Sequence, residues 1–236
     1  MGINLDENHR DITGGWLRPA VFGAMDGLVS NLALMVGVAG GSAAAGASTN
    51  QAVILAGIAG LLAGAFSMAA GEYTSVESQS ELAEAEVAKE LDAIKNYPEQ
   101  EIQELAKMFE KQGMSSETAL LAASEVSQDE GKALALHSRL EFGVDVDNLP
   151  SGTLAGVASF VSFAVGAIIP LLPYVFGATG IIPTVIISLV GLFILGAMVS
   201  LVTIRTWYFS AIRQLFIGAG AALVTWFLGN LVGGIL

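Results

Sequence analysis

The sequence predicts an all-α polytopic membrane protein, with five transmembrane helices and a cytoplasmic, acidic helical insert between the second and third. Three observations carry that expectation. Hydrophobic residues make up 53% of the 236 and charged residues only 14%, with a mean hydropathy of +0.65, too apolar for an ordinary soluble domain. The apolar residues are also blocked: nearly uncharged windows of about 20 residues, enough to cross roughly 30 Å of hydrocarbon, fall at about 20–41, 52–73, 153–176, 181–204 and 212–235. The third observation is that all ten basic residues are segregated. Arg10 and Arg18 precede span one, Lys89, Lys95, Lys107, Lys111, Lys132 and Arg139 separate spans two and three, and Arg205 and Arg213 separate spans four and five. Because cytoplasmic loops carry the Lys and Arg, the N-terminus and residues 75–150 are expected in the cytoplasm and Leu236 on the opposite side.

The chain is expected to divide into a polar cytoplasmic tail at 1–16, spans one and two at 17–74, the acidic module at 75–150 and spans three to five at 151–236. The tail lacks the apolar stretch of a cleavable signal, and His9 beside Arg10 reads as solvated. With no cysteine, disulfides, zinc–thiolate sites and redox thiols are excluded. The net charge of −12 excludes nucleic acid as a partner.

Span one is apolar except for Asp26, about eight residues, or roughly 12 Å of helix, inside Arg18. A carboxylate at that depth costs about 2.5–3.5 kcal/mol to insert, so it should face a partner or a wet cavity. Gly23 and Gly27 beside it allow a second backbone to come close. Span two returns across the membrane and carries Met68 about nine residues, roughly 13 Å, before Glu77. That depth is close to Asp26's, so a hard carboxylate and a soft thioether can meet at one level, a pairing that leans toward a transition metal. Glu72 stands near the edge of the same apolar run. Gly57, Gly60, Gly64 and Gly71 make this helix thin on one side, as a close-packed pair or a two-fold interface needs.

No proline or glycine follows Gly71 until Pro98, so the span-two helix is expected to run on into the acidic module. There it carries Glu77, Glu81 and Glu84 on one stripe and Glu86 with Glu90 on another. Residues 75–150 hold seventeen acidic against six basic side chains, −11 of the chain's −12. Tyr97-Pro98 breaks the helix, with Pro98 in the first turn of the next. That helix should bury Ile102, Leu105 and Phe109 and stop at Gly113, with Glu101 and Glu104 as neighbours on its other face. A third helix from Ser115 or Ser116 should turn Leu120, Ala123 and Val126 inward. A last one, ending at Gly143, sets His137 and Glu141 one turn apart, where they can chelate one ion. Glu90, Glu101, Glu104, His137 and Glu141 together form a candidate metal site of oxygen and nitrogen donors, suited to Fe²⁺, Mn²⁺ or Zn²⁺.

GAMDGLVSNLALMVGVAG, AGAFSMAAGEYTSVESQSE and the acidic insert ending RLEFGV, in that order, resemble the vacuolar iron transporter family and its nodulin-like relatives. The resemblance covers most of the chain and rests chiefly on the DG of span one and the SMxxGEY of span two. It implies a five-span homodimer that moves Fe²⁺ and related ions out of the cytosol in exchange for protons. The host would be the plasma membrane in a prokaryote and a vacuolar-type membrane in a eukaryote. The family's membrane Asp and Met fall on Asp26 and Met68, and its cytosolic glutamates on Glu90, Glu101, Glu104 and Glu141, with His137 where a methionine would stand. The chain departs from the family pattern at Gly15, Gly60 and Ala93, each at an expected carboxylate; Glu86 and Asp92 are the nearest substitutes for the last.

The expected function is thus divalent transition-metal export, with metal ions, protons, the lipid bilayer and a second copy of the chain as partners and no prosthetic group. The alternative is a membrane-anchored metal buffer or sensor, for which a buried Asp26 has no use. A ferritin-like oxidase needs paired Glu-x-x-His motifs, and none is present, so no enzyme is expected.

Overall fold

The computed structural model describes residues 16–46, 49–200 and 206–235. Arg10, Gly15, Arg205, Leu236 and nearly all of the expected polar tail lie outside them. The described residues are helical throughout their regular structure. In chain order the helices are α1 (Leu17–Ala44), α2 (Thr49–Asn96), α3 (Pro98–Lys111), α4 (Ser116–Val126) and α5 (Glu130–His137). A π-helical turn (Ser138–Phe142) follows, then α6 (Gly152–Ile168), a 3-10 turn (Ile169–Leu171), α7 (Leu172–Val175), α8 (Ile182–Val199) and α9 (Trp207–Gly233). Five helical stretches are long and apolar enough to cross a membrane, and they carry the five apolar windows. The fifth begins at Trp207, earlier than its window: WYFSAIRQ, though it contains Arg213, is already helical after an extended Thr206.

The chain forms two compact units, Ser75–Ser151 and the residues on either side of it. α2 contributes its first half to one and its second half to the other.

In the apolar unit α1 is the centre, packed against α6, α8 and α9. Its approach to α6 is backbone on backbone: a methyl on Gly27 would strike the Phe163 carbonyl, and one on Gly166 the Ala24 carbonyl. Leu28, Leu32, Val36, Leu192 and Ala222 form the core where α1 meets α8 and α9. α2 is seated differently, chiefly through side chains: Val53 packs on Met35 and Leu171, and Ala65 on Phe163, while Gly156 of α6 lets the Ala69 carbonyl come close. The outer faces carry exposed large apolar residues such as Leu55, Phe66, Ile186, Phe216 and Phe227, the pattern of a surface solvated by hydrocarbon.

The acidic unit has its own core. Leu105, Ala106 and Phe109 of α3 pack on Ala119 and Ala123 of α4, with Ile102, Val126, Leu136 and Leu140 around them. Leu120, expected inward, is 48% exposed, because α4 turns its alanine face to α3 and so comes closer. Pro98 opens α3 after Tyr97, whose backbone (φ −133°, ψ 50°) has left the helix. Ser115 caps α4 by accepting from the Thr118 amide at 3.3 Å, and Asp129 caps α5 by accepting from Lys132 at 3.1 Å. Lys95 of α2 pairs with Glu130 of α5 at 3.2 Å, and Ser80 donates to the Pro150 carbonyl at 2.6 Å, which ties the unit's two ends together. The last expected helix becomes a π turn after His137 and ends on Gly143 at φ 69°, a left-handed conformation that glycine adopts without strain.

Candidate metal centres

Within the acidic unit three helices deliver one donor each to a common point. Glu90 comes from α2, Glu101 from the first turn of α3 and His137 from the last residue of α5, and their donor atoms lie within 4.8 Å of one another. His137 is fully buried and Glu90 is 8% exposed. His137 Nδ1 stands 2.9 Å from Glu90 Oε1 and 3.9 Å from Glu101 Oε2. Yet neither imidazole nitrogen nor Glu90 Oε1 has a hydrogen-bond partner among the described residues. The 2.9 Å separation therefore has the length of a hydrogen bond without its direction. Two lone-pair donors that face a shared point rather than each other have that geometry, and separations near 3 Å suit ligands held about 2.0–2.2 Å from one ion.

The electrostatics agree with the geometry. Burial raises the Glu90 carboxyl to about 7, helped by repulsion from Glu101, Glu141 and Glu104 and by a hydrogen bond shared with Glu101. Burial lowers the His137 imidazole against the pull of Glu101 and Glu104, so the ring is a neutral donor and the contact is not an ion pair. Near neutral pH Glu90 is protonated in part, and a divalent cation would displace that proton. A cavity of about 390 Å³, lined in part by Glu101, Glu130 and His137, opens onto it.

Glu104 and Glu141 are exposed at the rim of this cluster. Burial first, then Glu104, Glu101 and Glu86, raises the Glu141 carboxyl. The structure groups the His137 imidazole with Glu90 and Glu101, while Glu141, its expected chelating partner one turn on, has an exposed side chain outside that group. Glu86 is bound to Lys89 at 2.7 Å and Asp92 is exposed, so neither joins the three donors.

In the apolar unit Asp26 of α1 and Met68 of α2 line one open cleft of about 380 Å³, with Asn31, Gly60, Ser67 and Phe163 among its other walls. Asp26 is half-buried and accepts a hydrogen bond from Ser30 Oγ at 2.6 Å. The cleft exists because α2 is held off by side chains while α1 and α6 touch. Glu72, one helical turn past Met68, is half-buried and is not part of its lining. Two polar walls, Asn31 and Ser67, carry no charge and are not among the expected ligands, although both lie inside the quoted family motifs; an amide inside an apolar run is the faint signal that marks the first. Gly60 presents bare backbone to the cleft.

The family profile described as the VIT family matches residues 17–230, a span that takes in both centres. The chain belongs to the VIT family. It is 34% identical to a vacuolar iron transporter of Acanthamoeba castellanii over 93% of this chain and 80% of that protein. Against vacuolar iron transporter 1 of Arabidopsis thaliana it is 28% identical over 93% of this chain and 87% of the relative. Against the vacuolar iron transporter of Centaurea cyanus the identity is 26% over 93% of this chain and 89% of the relative. As a VIT family member with five membrane-length apolar helices, it is an integral membrane protein.

Proposed function

We propose that this VIT family protein exports Fe²⁺, and with it Mn²⁺, from the cytosol in exchange for protons. The observation that carries the reading is the shared cleft of Asp26 and Met68 in the apolar unit, a hard anion and a soft thioether where a simple anchor would have only hydrocarbon. Residues 75–150 would lie in the cytoplasm, as the distribution of Lys and Arg favours, and the working form would be a homodimer. The acidic surface raises the local concentration of divalent cations, and Glu90, Glu101 and His137 bind one, with Glu104 and Glu141 lending negative potential at the rim. Glu72 relays the ion toward Asp26 and Met68. Asp26 holds the ion while ionised and releases it when protonated from the far side, since a neutral carboxyl no longer attracts a cation.

The test is uptake of Fe²⁺ and Mn²⁺ by proteoliposomes, with and without a pH gradient. Asp26→Asn keeps the shape and the bond with Ser30 but removes the charge, so uptake should fall to background. Undiminished uptake would refute the reading. A protein that binds metal but shows no uptake even in its parent form would be a membrane-anchored buffer instead.

A further inference from the structure

We propose that the side-chain oxygen of Asn31 is a second, neutral station for the divalent ion in the apolar cleft, to which the ion passes from Asp26. The inference rests on the transport reading above. Asn31 is only 2% exposed. Its Nδ2 donates to the Ala167 carbonyl of α6 at 2.6 Å. A carbonyl can only accept, so this bond fixes which end of the amide is nitrogen. The oxygen is therefore turned away from α6 and toward α2. There a methyl placed on Gly60 would meet the flexible end of Leu34 at 2.5 Å and this oxygen at 2.9 Å, so the oxygen rests against bare backbone at the cleft wall.

That oxygen has no hydrogen-bond partner among the described residues. A buried amide oxygen left in this state is unfavourable, and native proteins seldom keep one without a use for it. Fastening α1 to α6 accounts for the nitrogen alone. Amide oxygens are hard neutral donors of the kind that bind divalent cations.

Its position along the helices supplies the role. Asn31 is five residues beyond Asp26 on α1, about 7.5 Å of rise. On α2, Gly60 and Met68 are eight residues apart, about 12 Å. The cleft is thus elongated, with Met68 and Asp26 toward one end and Asn31 with Gly60 at the other. An ion leaving Asp26 would otherwise face the apolar wall of Leu34 and Phe163. A neutral oxygen there replaces part of its hydration without the attraction that would trap it. A second carboxylate would hold the ion.

The experiment measures initial uptake of Mn²⁺ by proteoliposomes of the full chain against ion concentration, per folded protein, alongside Asp26→Asn. For Asn31→Leu, the maximal rate should fall about tenfold with KM little changed, because Asp26 still sets first binding. For Asn31→Asp, KM should fall below the parent value together with the maximal rate, the signature of a trapped ion. Gly60→Ala keeps the Asn31–Ala167 bond but covers the oxygen, and it should copy Asn31→Leu. It is the deciding variant if the Asn31 substitutions fold poorly. Parent-like kinetics for Gly60→Ala, or equal losses for Asn31→Asp and Asn31→Leu without a lower KM, would leave Asn31 as a fastener of α1 to α6 and overturn the inference. If Asp26→Asn transports normally, the transport reading fails and this inference fails with it; if Asp26→Asn is silent, the Asn31 outcomes judge the inference alone.

Discussion

The two candidate centres solve opposite problems. The cluster of Glu90, Glu101 and His137 crowds carboxylates until one of them takes up a proton near neutral pH. The cleft of Asp26 and Met68 offers one charge, thinly spread among neutral donors. A largely buried site rich in charge should bind a cation tightly and release it slowly. A site with one carboxylate in apolar surroundings binds weakly and can be emptied by a single proton. On the proposed reading, affinity and passage would be divided between two places on one chain, rather than compromised in one.

The largest expected effect breaks that division directly. Asp26→Asn should abolish uptake while leaving equilibrium metal binding by the detergent-solubilised protein at its parent value. His137→Ala should do the reverse, weakening binding by about 100-fold, since even groups that only orient a metal ligand are worth 10–100-fold. Uptake at saturating ion should then survive in part. If both variants lose both properties, the two centres are one site and the comparison collapses.

A second, smaller effect sharpens it. Because the Glu90 carboxyl is raised to about 7, protons compete with the ion below that pH. Affinity should fall toward tenfold per pH unit as the solution is acidified from pH 7, and level off above it. The neutral His137 does not add to this dependence near pH 7, because burial keeps its protonation lower. Stability carries the same signature with its own sign. The folded-state value lies above the ordinary 4.5, so the ion-free protein has this contribution in full below about pH 4.5 and loses it as pH rises through about 7. Glu90→Gln mimics the protonated form. Relative to that variant, the parent's Tm should drop between pH 5 and pH 8, and added Mn²⁺ should restore it. A constant difference between the two proteins across this range would place Glu90 outside the coupled cluster.

The smallest effect concerns Met68. Met68→Leu keeps volume and apolarity and removes only the sulfur. Uptake of Fe²⁺ should fall about threefold more than that of Mn²⁺, in line with the greater affinity of the softer ion for a thioether. Equal losses would make Met68 a packing residue, and the cleft would then discriminate by charge alone.

Much of this architecture is legible in the residues. The five spans follow from windows long enough to cross hydrocarbon, and the break before α3 from Tyr97-Pro98. Leu105 and Phe109 follow from helical spacing. Leu120 does not, because the choice between Leu120 and Ala119 depends on how closely α4 approaches α3, and local spacing is blind to that. The acidic residues show the same limit. Glu90, Glu101, Glu104 and Glu141 look alike in the chain, and only packing buries the first, half-buries the second and leaves the other two in solvent. Asn31 is the clearest case. Its two ends do different things only because a carbonyl of α6 stands on one side and a glycine of α2 on the other.

The two ways of seating a helix on α1 also set what mutation is free to explore. At Gly27 and Gly166 the mildest enlargement, a single methyl, would land on main chain that has no rotamer to escape into, and Gly229 meets the backbone of Gly37 in the same way. At Gly57 and Gly64 the same methyl would meet side chains, Leu171, Met35 and Phe163, which repack at lower cost than main chain does. Substitutions on the inner face of α1 should therefore be purged as folding failures, while those along α2 survive as changes in the shape and polarity of the cleft. Diversification of ion preference among descendants of this chain should be written mostly on α2, against an α1 that hardly drifts.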